Sequence, residues 1–172
     1  MPGGGEAMKQ SPATVAVADD LFEPQAGVEE ATAQYVSFRL GTEWYAVDIA
    51  HVREVVRCAQ LTYLPAAPGH IAGAVNLRGN IVSVTDARRL FGMAANALTA
   101  RSRIVVVESG PLETGLLVDE MGQVLTVPVS RLEPPLATLD AARAAFIEHV
   151  CRCEGRLMAV LRPEKLLAGN EA

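Results

Sequence analysis

One stretch constrains the fold more than any other: Gly73-Ala74-Val75-Asn76-Leu77-Arg78-Gly79-Asn80-Ile81-Val82-Ser83-Val84-Thr85-Asp86. It reads as two short strands meeting at an arginine–glycine tip. With the period of two that a strand imposes, Ile71, Gly73, Val75 and Leu77 fall on one face and Ala72, Ala74, Asn76 and Arg78 on the other. Gly79 with Asn80 supplies the backbone freedom of a tight turn, because a two-residue hairpin puts at least one residue at positive φ. The hairpin holds an arginine and an asparagine on an otherwise small, apolar frame. That is a shape for contacting another protein rather than for chemistry.

The flanking sequence repeats the pattern. Tyr35–Leu40 alternates, Gly41-Thr42-Glu43 turns the chain, and Trp44–Val47 returns it as a first hairpin. Asp48 is placed to cap a short helix carrying Ile49, Val52 and Val56 at helical spacing. Leu61–Leu64 is extended, and Pro65 and Pro68-Gly69 break it. Thr85 or Asp86 caps a short helix through Leu90, with Gly92 at its stop. Residues 93–100 form a connector. Beyond it, Ser102–Glu108, Thr114–Val118 and Gln123–Val127 read as strands, Ala141–Ala145 as one helical turn, and Phe146–Cys153 with Arg156–Leu161 as a last hairpin around Glu154-Gly155. Pro163 and Gly169 bracket a short C-terminal helix. The halves are faintly alike: each opens on a hairpin ending in Val-Asp (Val47-Asp48, Val118-Asp119) and reaches another valine soon after (Val52, Val124). Short strands between Gly/Pro turns indicate a mainly β protein of two small lobes, barrels or sandwiches, with a few helical fragments. Residues 1–32, with Gly3-Gly4-Gly5 and no sustained period, read as a flexible tail.

Composition narrows the function. Half of the 172 residues are hydrophobic, but only 5% are aromatic, so stacking platforms for nucleic acid are scarce. A net charge of −5 argues against nucleic-acid and anionic-membrane roles, which want a basic field. No apolar run approaches the roughly 20 residues of a membrane span. The N-terminus lacks the order of a signal peptide. The expectation is a cytoplasmic protein whose three cysteines stay reduced.

Candidate chemistry is thin. No phosphate loop, dinucleotide fingerprint, nucleophile elbow or paired metal-protease histidines are present. Asp48 and Asp86 read as helix caps, and Glu108, Glu113, Asp119 and Glu120 as solvated strand ends. His51 and His70 stand apart from zinc-site spacing. His149, Cys151 and Cys153 share one face of a presumed strand. They read as strand packing with buried thiols, the alternative being a small metal-dependent enzyme built on that row. No catalytic residue, cofactor or metal is expected.

Residues Tyr35–Gly92 resemble the CheW-like family of chemotaxis coupling proteins. The motifs are Phe38-Arg39-Leu40-Gly41, Tyr45–Ile49, Val52–Val55, Leu64–Pro68 and Ile71–Asp86, in that order. Ser83 stands where the family usually has proline. The resemblance implies two five-stranded SH3-like barrels packed together, within a domain over residues 33–169. Its lobes lie near 35–92 and 101–162, the chain crosses between them, and a helix follows at 163–168. It implies a non-enzymatic adaptor bridging the cytoplasmic tips of chemoreceptors, through a groove between the lobes, to the regulatory domain of a CheA-type histidine kinase in receptor arrays. Adaptors of this kind also serve other pathways, such as surface growth or pilus motility. The family's functional valine, glutamate and arginine fall on Val52, Glu54 and Arg78, and its turn glycines on Gly73 and Gly79. Ile71 adds apolar contact and Asn76 a polar one. Arg78 offers planar, multi-donor hydrogen bonding to a partner.

Overall fold

The first hairpin is built as its alternation predicts. In the computed structural model, which describes residues 30–168 apart from 66, 68, 95, 96, 136 and 138–140, β1 (Thr32–Leu40) and β2 (Glu43–Asp48) pair antiparallel. The tail expected before residue 30, Pro68 and Gly169 lie outside the described residues. Asp48 does act as a cap, its Oδ1 accepting from the Ala50 N–H at 2.9 Å, but only one 3-10 turn follows (Ile49–His51). The expected helix through Val52 and Val56 is instead a strand, β3 (Val52–Arg57). Its branched valines pack well on a pleated surface, and a waiting neighbour strand satisfies its backbone. Val52, Glu54 and Val56 turn partly inward, while Arg53, Val55 and Arg57 face out.

The chain continues through β4 (Ile71–Leu77), β5 (Asn80–Asp86), α1 (Ala87–Leu90), β6 (Arg103–Ser109), β7 (Leu112–Val118) and β8 (Glu120–Pro128). It ends with α2 (Ala141–Ala144), β9 (Ile147–Cys153), β10 (Arg156–Leu161) and α3 (Pro163–Ala168). The strands form two five-stranded sheets, ordered β8-β1-β2-β10-β9 and β3-β6-β7-β5-β4. Each sheet draws on both sides of residues 93–100, so neither coincides with the stretch 35–92 or 101–162. The exchange is reciprocal. After the β1–β2 hairpin, β3 leaves to pair with β6; after the β6–β7 hairpin, β8 leaves to pair with β1. The two Val-Asp pairs noted in the sequence mark these crossing points.

Three apolar clusters follow. Tyr35, Ala46, Val127, Cys151, Met158 and Val160 fill the first lobe. Ala72, Val75, Val82, Val84, Ile104, Val106 and Leu117 fill the second. The largest cluster joins them: Phe38, Leu40, Tyr45 and Val47 from one sheet meet Val105, Val107, Leu116 and Val118 from the other, with Phe91 beside α1 and Leu166 and Leu167 of α3. Adjacent residues therefore serve different cores. Ile104 and Val106 point into a lobe, and Val105 and Val107 into the junction, all without solvent exposure.

A polar staple crosses the same junction. Asp119, between β7 and β8, accepts from the Gly41 N–H at 2.7 Å and from Arg88 Nη2 at 2.5 Å. It was expected as a solvated strand end, but it binds the β1–β2 turn to α1, whose own cap is Asp86 accepting from the Arg88 N–H at 3.0 Å. Burial pushes the Asp119 carboxyl up, but the hydrogen bonds from Arg88 and Gly41 and the charges of Arg88 and Arg39 outweigh it and hold the group below the usual carboxylate range. Gly73 is fixed by a close approach: a Cβ there would lie 2.2 Å from the Thr62 carbonyl oxygen. The Leu61–Leu64 segment, expected as extended, touches β4 through the single bridge Thr62–Ala74.

Two measurements check this account. Leu116→Ala, in the junction, is expected to lower the unfolding free energy by about 2–5 kcal/mol in urea denaturation, as cavity-forming substitutions do. Asp119→Asn is expected to cost roughly 1.5–3 kcal/mol at neutral pH, the range for a hydrogen bond to a charged group. Because the native pKa of Asp119 lies below its unfolded value, the unfolded chain binds the extra proton. That stability is present above about pH 4 and lost on acidification, so the gap between variant and parent should close below that pH.

Candidate protein-binding surface

The β4–β5 hairpin turns on two residues, Arg78 and Gly79, between the paired Leu77 and Asn80. Both turn residues have positive φ, 54° and 89°. Where the sequence suggests Gly79 and Asn80 as the turn pair, the register moves the turn one residue earlier, so that Arg78 itself takes the left-handed conformation. Such a turn matches the twist of the flanking strands. Asn76 braces it, its Oδ1 accepting from the Gly79 N–H at 3.0 Å.

This backbone aims the guanidinium sideways. Arg78 Nη1 donates to Glu54 Oε2 at 2.8 Å and Nη2 to Oε1 at 3.3 Å, a two-pronged contact. The strands that carry the pair are the two ends of the second sheet: Glu54 lies on edge strand β3, and Arg78 on the hairpin of edge strand β4. The contact spans the seam between those edges. The Arg78 side chain is 70% exposed and that of Glu54 only 22%, so the carboxylate is the seated partner and the arginine the displayed one.

A shallow cleft surrounds the pair, lined by Arg53, Glu54, Leu77, Arg78, Asn80 and Glu113. Arg53 sits at a bulge where β3 slips against β6, and it reaches Glu108 at 3.2 Å and Glu113 at 3.5 Å. These two carboxylates, expected as solvated strand ends, hold that arginine. Val52 opens β3 opposite Val107 and packs against the junction core, half-buried. The other expected residues separate. Gly73 is buried beneath Thr62, and Ile71 pairs with Thr85 at the far end of β4 from the arginine tip. Glu54, Asn76, Arg78 and Gly79 are thus brought together, Val52 lies two residues along β3, and Ile71 and Gly73 stand apart. Val55 on β3 and Ile81 on β5 are also exposed, two apolar residues that the helical spacing assigned to Val52 and Val56 and the hairpin motif do not single out. Reading Val52–Arg57 as a strand would have exposed Val55, flanked by outward arginines. Ser83, the departure from the family motif, lies in interior strand β5, and its carbonyl accepts from the Thr114 hydroxyl at 3.2 Å.

The His149–Cys151–Cys153 row lies elsewhere, on β9. His149 Nε2 faces Glu148 at 3.9 Å, while the two sulfurs lie 3.9 Å apart within the first-lobe cluster. Burial, reinforced by the neighbouring Cys153, pushes the Cys151 thiol up to about 12. Among the described residues, no three His, Cys, Asp or Glu side chains are grouped to share a metal ion.

Comparisons with known proteins bear on this arrangement. The model of the CheW-like domain matches residues 34–171. The chemotaxis protein CheW of Rhizobium meliloti (strain 1021) is 29% identical over 138 residues, covering 80% of this chain and 89% of the relative. Protein PilI of Pseudomonas aeruginosa is 30% identical over 115 residues, 67% of this chain and 65% of that protein. The crystal structure of the scaffolding protein TtCheW from Thermoanaerobacter tengcongensis superimposes with a TM-score of 0.69 at 32% identity, covering 77% of this chain and 90% of that one. The match spans both sheets and the hairpin that displays Arg78, and the chain belongs to the CheW-like family.

Proposed function

We propose that this protein is a non-enzymatic adaptor that couples the cytoplasmic tips of chemoreceptors to the regulatory domain of a CheA-type histidine kinase. The observation that carries this reading is the Glu54–Arg78 pair, displayed at an exposed tip on a scaffold whose interior is committed to packing. An ion pair so exposed contributes little to stability, so its value lies in recognition and register. Val52, Glu54, Asn76, Arg78 and Gly79 form the contact region, while Gly73 and Ile71, at the other end of β4, would belong to a separate part of the binding surface. In this reading the protein works in the cytoplasm, recruited to membrane-bound receptor arrays; no helix among the described residues is long and apolar enough to cross a membrane. Many modest contacts, repeated across an array, give the assembly its strength. The similarity to PilI supports a second reading, the same adaptor role in a non-flagellar pathway.

Charge reversal tests the surface. Arg78→Glu keeps a side chain at the left-handed position and removes the donor fork. It is expected to weaken co-sedimentation with receptor and kinase at least about tenfold, as loss of a charged interface group does. The melting temperature should move by no more than about 3 °C, as expected of a surface substitution. Undiminished co-sedimentation would refute the assignment of Arg78. Running the assay with receptors of flagellar and pilus-type pathways separates the two readings.

A further inference from the structure

The two lobes are built alike, and one of them leaves a gap. Each sheet has at one edge a strand that has crossed over (β3, β8) and at the other a hairpin (β4–β5, β9–β10). These hairpins turn on matching pairs, Arg78-Gly79 with φ of 54° and 89° and Glu154-Gly155 with φ of 52° and 78°. In the second lobe Glu54 and Arg78 bridge the seam between edge strand and hairpin tip. In the first lobe the β8 side is held by neutral Gly122 and Gln123, and a cleft of about 170 Å³ opens there. Trp44, Leu125 and Met158, buried or half-buried, line it together with exposed Gln123, Glu154 and Arg156. It is smaller than the roughly 300–1,000 Å³ of small-molecule pockets and suits a single side chain. The Arg156 guanidinium lies over the Trp44 ring, 4.1 Å from its centre, and has no carboxylate partner among the described residues.

The chain itself supplies a fitting occupant. Residues 1–29 hold five acidic residues and one lysine, so four of the five net negative charges lie there. The chain enters β1 beside the end of β8: the Ala31 carbonyl accepts from the Val129 N–H at 2.9 Å, and the Glu30 carboxylate accepts from the Ser130 hydroxyl. From Pro128 back to Gly122 the strand covers about 20 Å, at roughly 3.3 Å per residue. Asp19 and Glu23 precede Glu30 by eleven and seven residues, which extended chain turns into about 36 and 23 Å. That length reaches the cleft along the outer edge of β8, past exposed Val129 and Val124. We propose that Asp19-Asp20-Leu21-Phe22-Glu23 of this chain docks in the first-lobe cleft, with Phe22 against Trp44 and Leu125 and the adjoining carboxylates on Arg156. An aromatic anchor flanked by acids matches an apolar floor beside an unneutralised guanidinium. Glu154 in the lining repels a purely acidic ligand, so the apolar anchor is needed. Docking lays residues 24–29 over the edge of β8 and shields that edge from pairing with other chains. The Arg78 tip, on the other sheet, stays free.

The test is amide hydrogen exchange of the dilute full chain, followed by mass spectrometry, together with acrylamide quenching of Trp44, the only tryptophan. Residues 19–23 should exchange more slowly than an unstructured chain does. Phe22→Ser should abolish that protection, speed exchange over residues 122–125 at least about tenfold, as loss of a buried aromatic anchor does, and open Trp44 to the quencher. Arg156→Gln, at an exposed position, should speed exchange over residues 19–23 by about two- to fivefold, the range of an exposed ion pair. Lys9→Gln should change neither readout. Three results would each overturn the proposal: exchange of residues 19–23 at the unstructured rate, no response of residues 122–125 and Trp44 to Phe22→Ser, or protection that grows with protein concentration. The last would assign the cleft to a second copy of the chain instead.

Discussion

The rest of the structure depends on the burial of two sheets' outer faces against each other. Each lobe is too small to be comfortable alone, and the junction supplies the largest continuous apolar cluster. This forces β6 and β7 to be apolar on both faces. Ile104-Val105-Val106-Val107 and Leu116-Leu117-Val118 are therefore unbroken runs rather than alternating ones. The exchange of β3 and β8 reinforces the junction, since each sheet holds a strand that follows the other's hairpin. Asp119 adds direction where apolar packing has none. Its bonds to Gly41 and Arg88 set how the turn of one lobe meets the helix of the other.

A junction this large frees the edges. β3 and β4, the ends of the second sheet, carry polar and charged groups that no core needs. Such charge on edge strands also discourages unwanted pairing with other chains. Arg78 is held out by its turn, anchored by the Glu54 carboxylate, and left with most of its surface in water. The fold thus separates support from recognition: the interior resists substitution, while the tip tolerates it structurally and answers to a partner.

Local chemistry made much of this legible. Alternation with Gly/Pro punctuation marked the hairpins, and Asp48 and Asp86 marked the starts of their turns. The Arg78 tip was visible because a tight turn needs particular residues at fixed positions. The β3 strand was hidden because Ile49, Val52 and Val56 suit a helical face as well as a pleated one, and only the presence of β6 decides between them. Gly73 read as a turn glycine although its reason is the Thr62 carbonyl pressed against it from outside the hairpin.

By itself the sequence determined every strand but β3, the turns and the display of an arginine at a hairpin tip, because those follow from side-chain period and backbone freedom over a few residues. Tertiary structure alone decided which sheet each strand joins, that Asp119 is a staple rather than a solvated end, and that Arg78 meets Glu54 across a seam. Those outcomes depend on contacts between residues far apart in the chain, such as Arg78 with Glu54, Gln34 with Thr126 and Trp44 with Met158, and no local pattern encodes them.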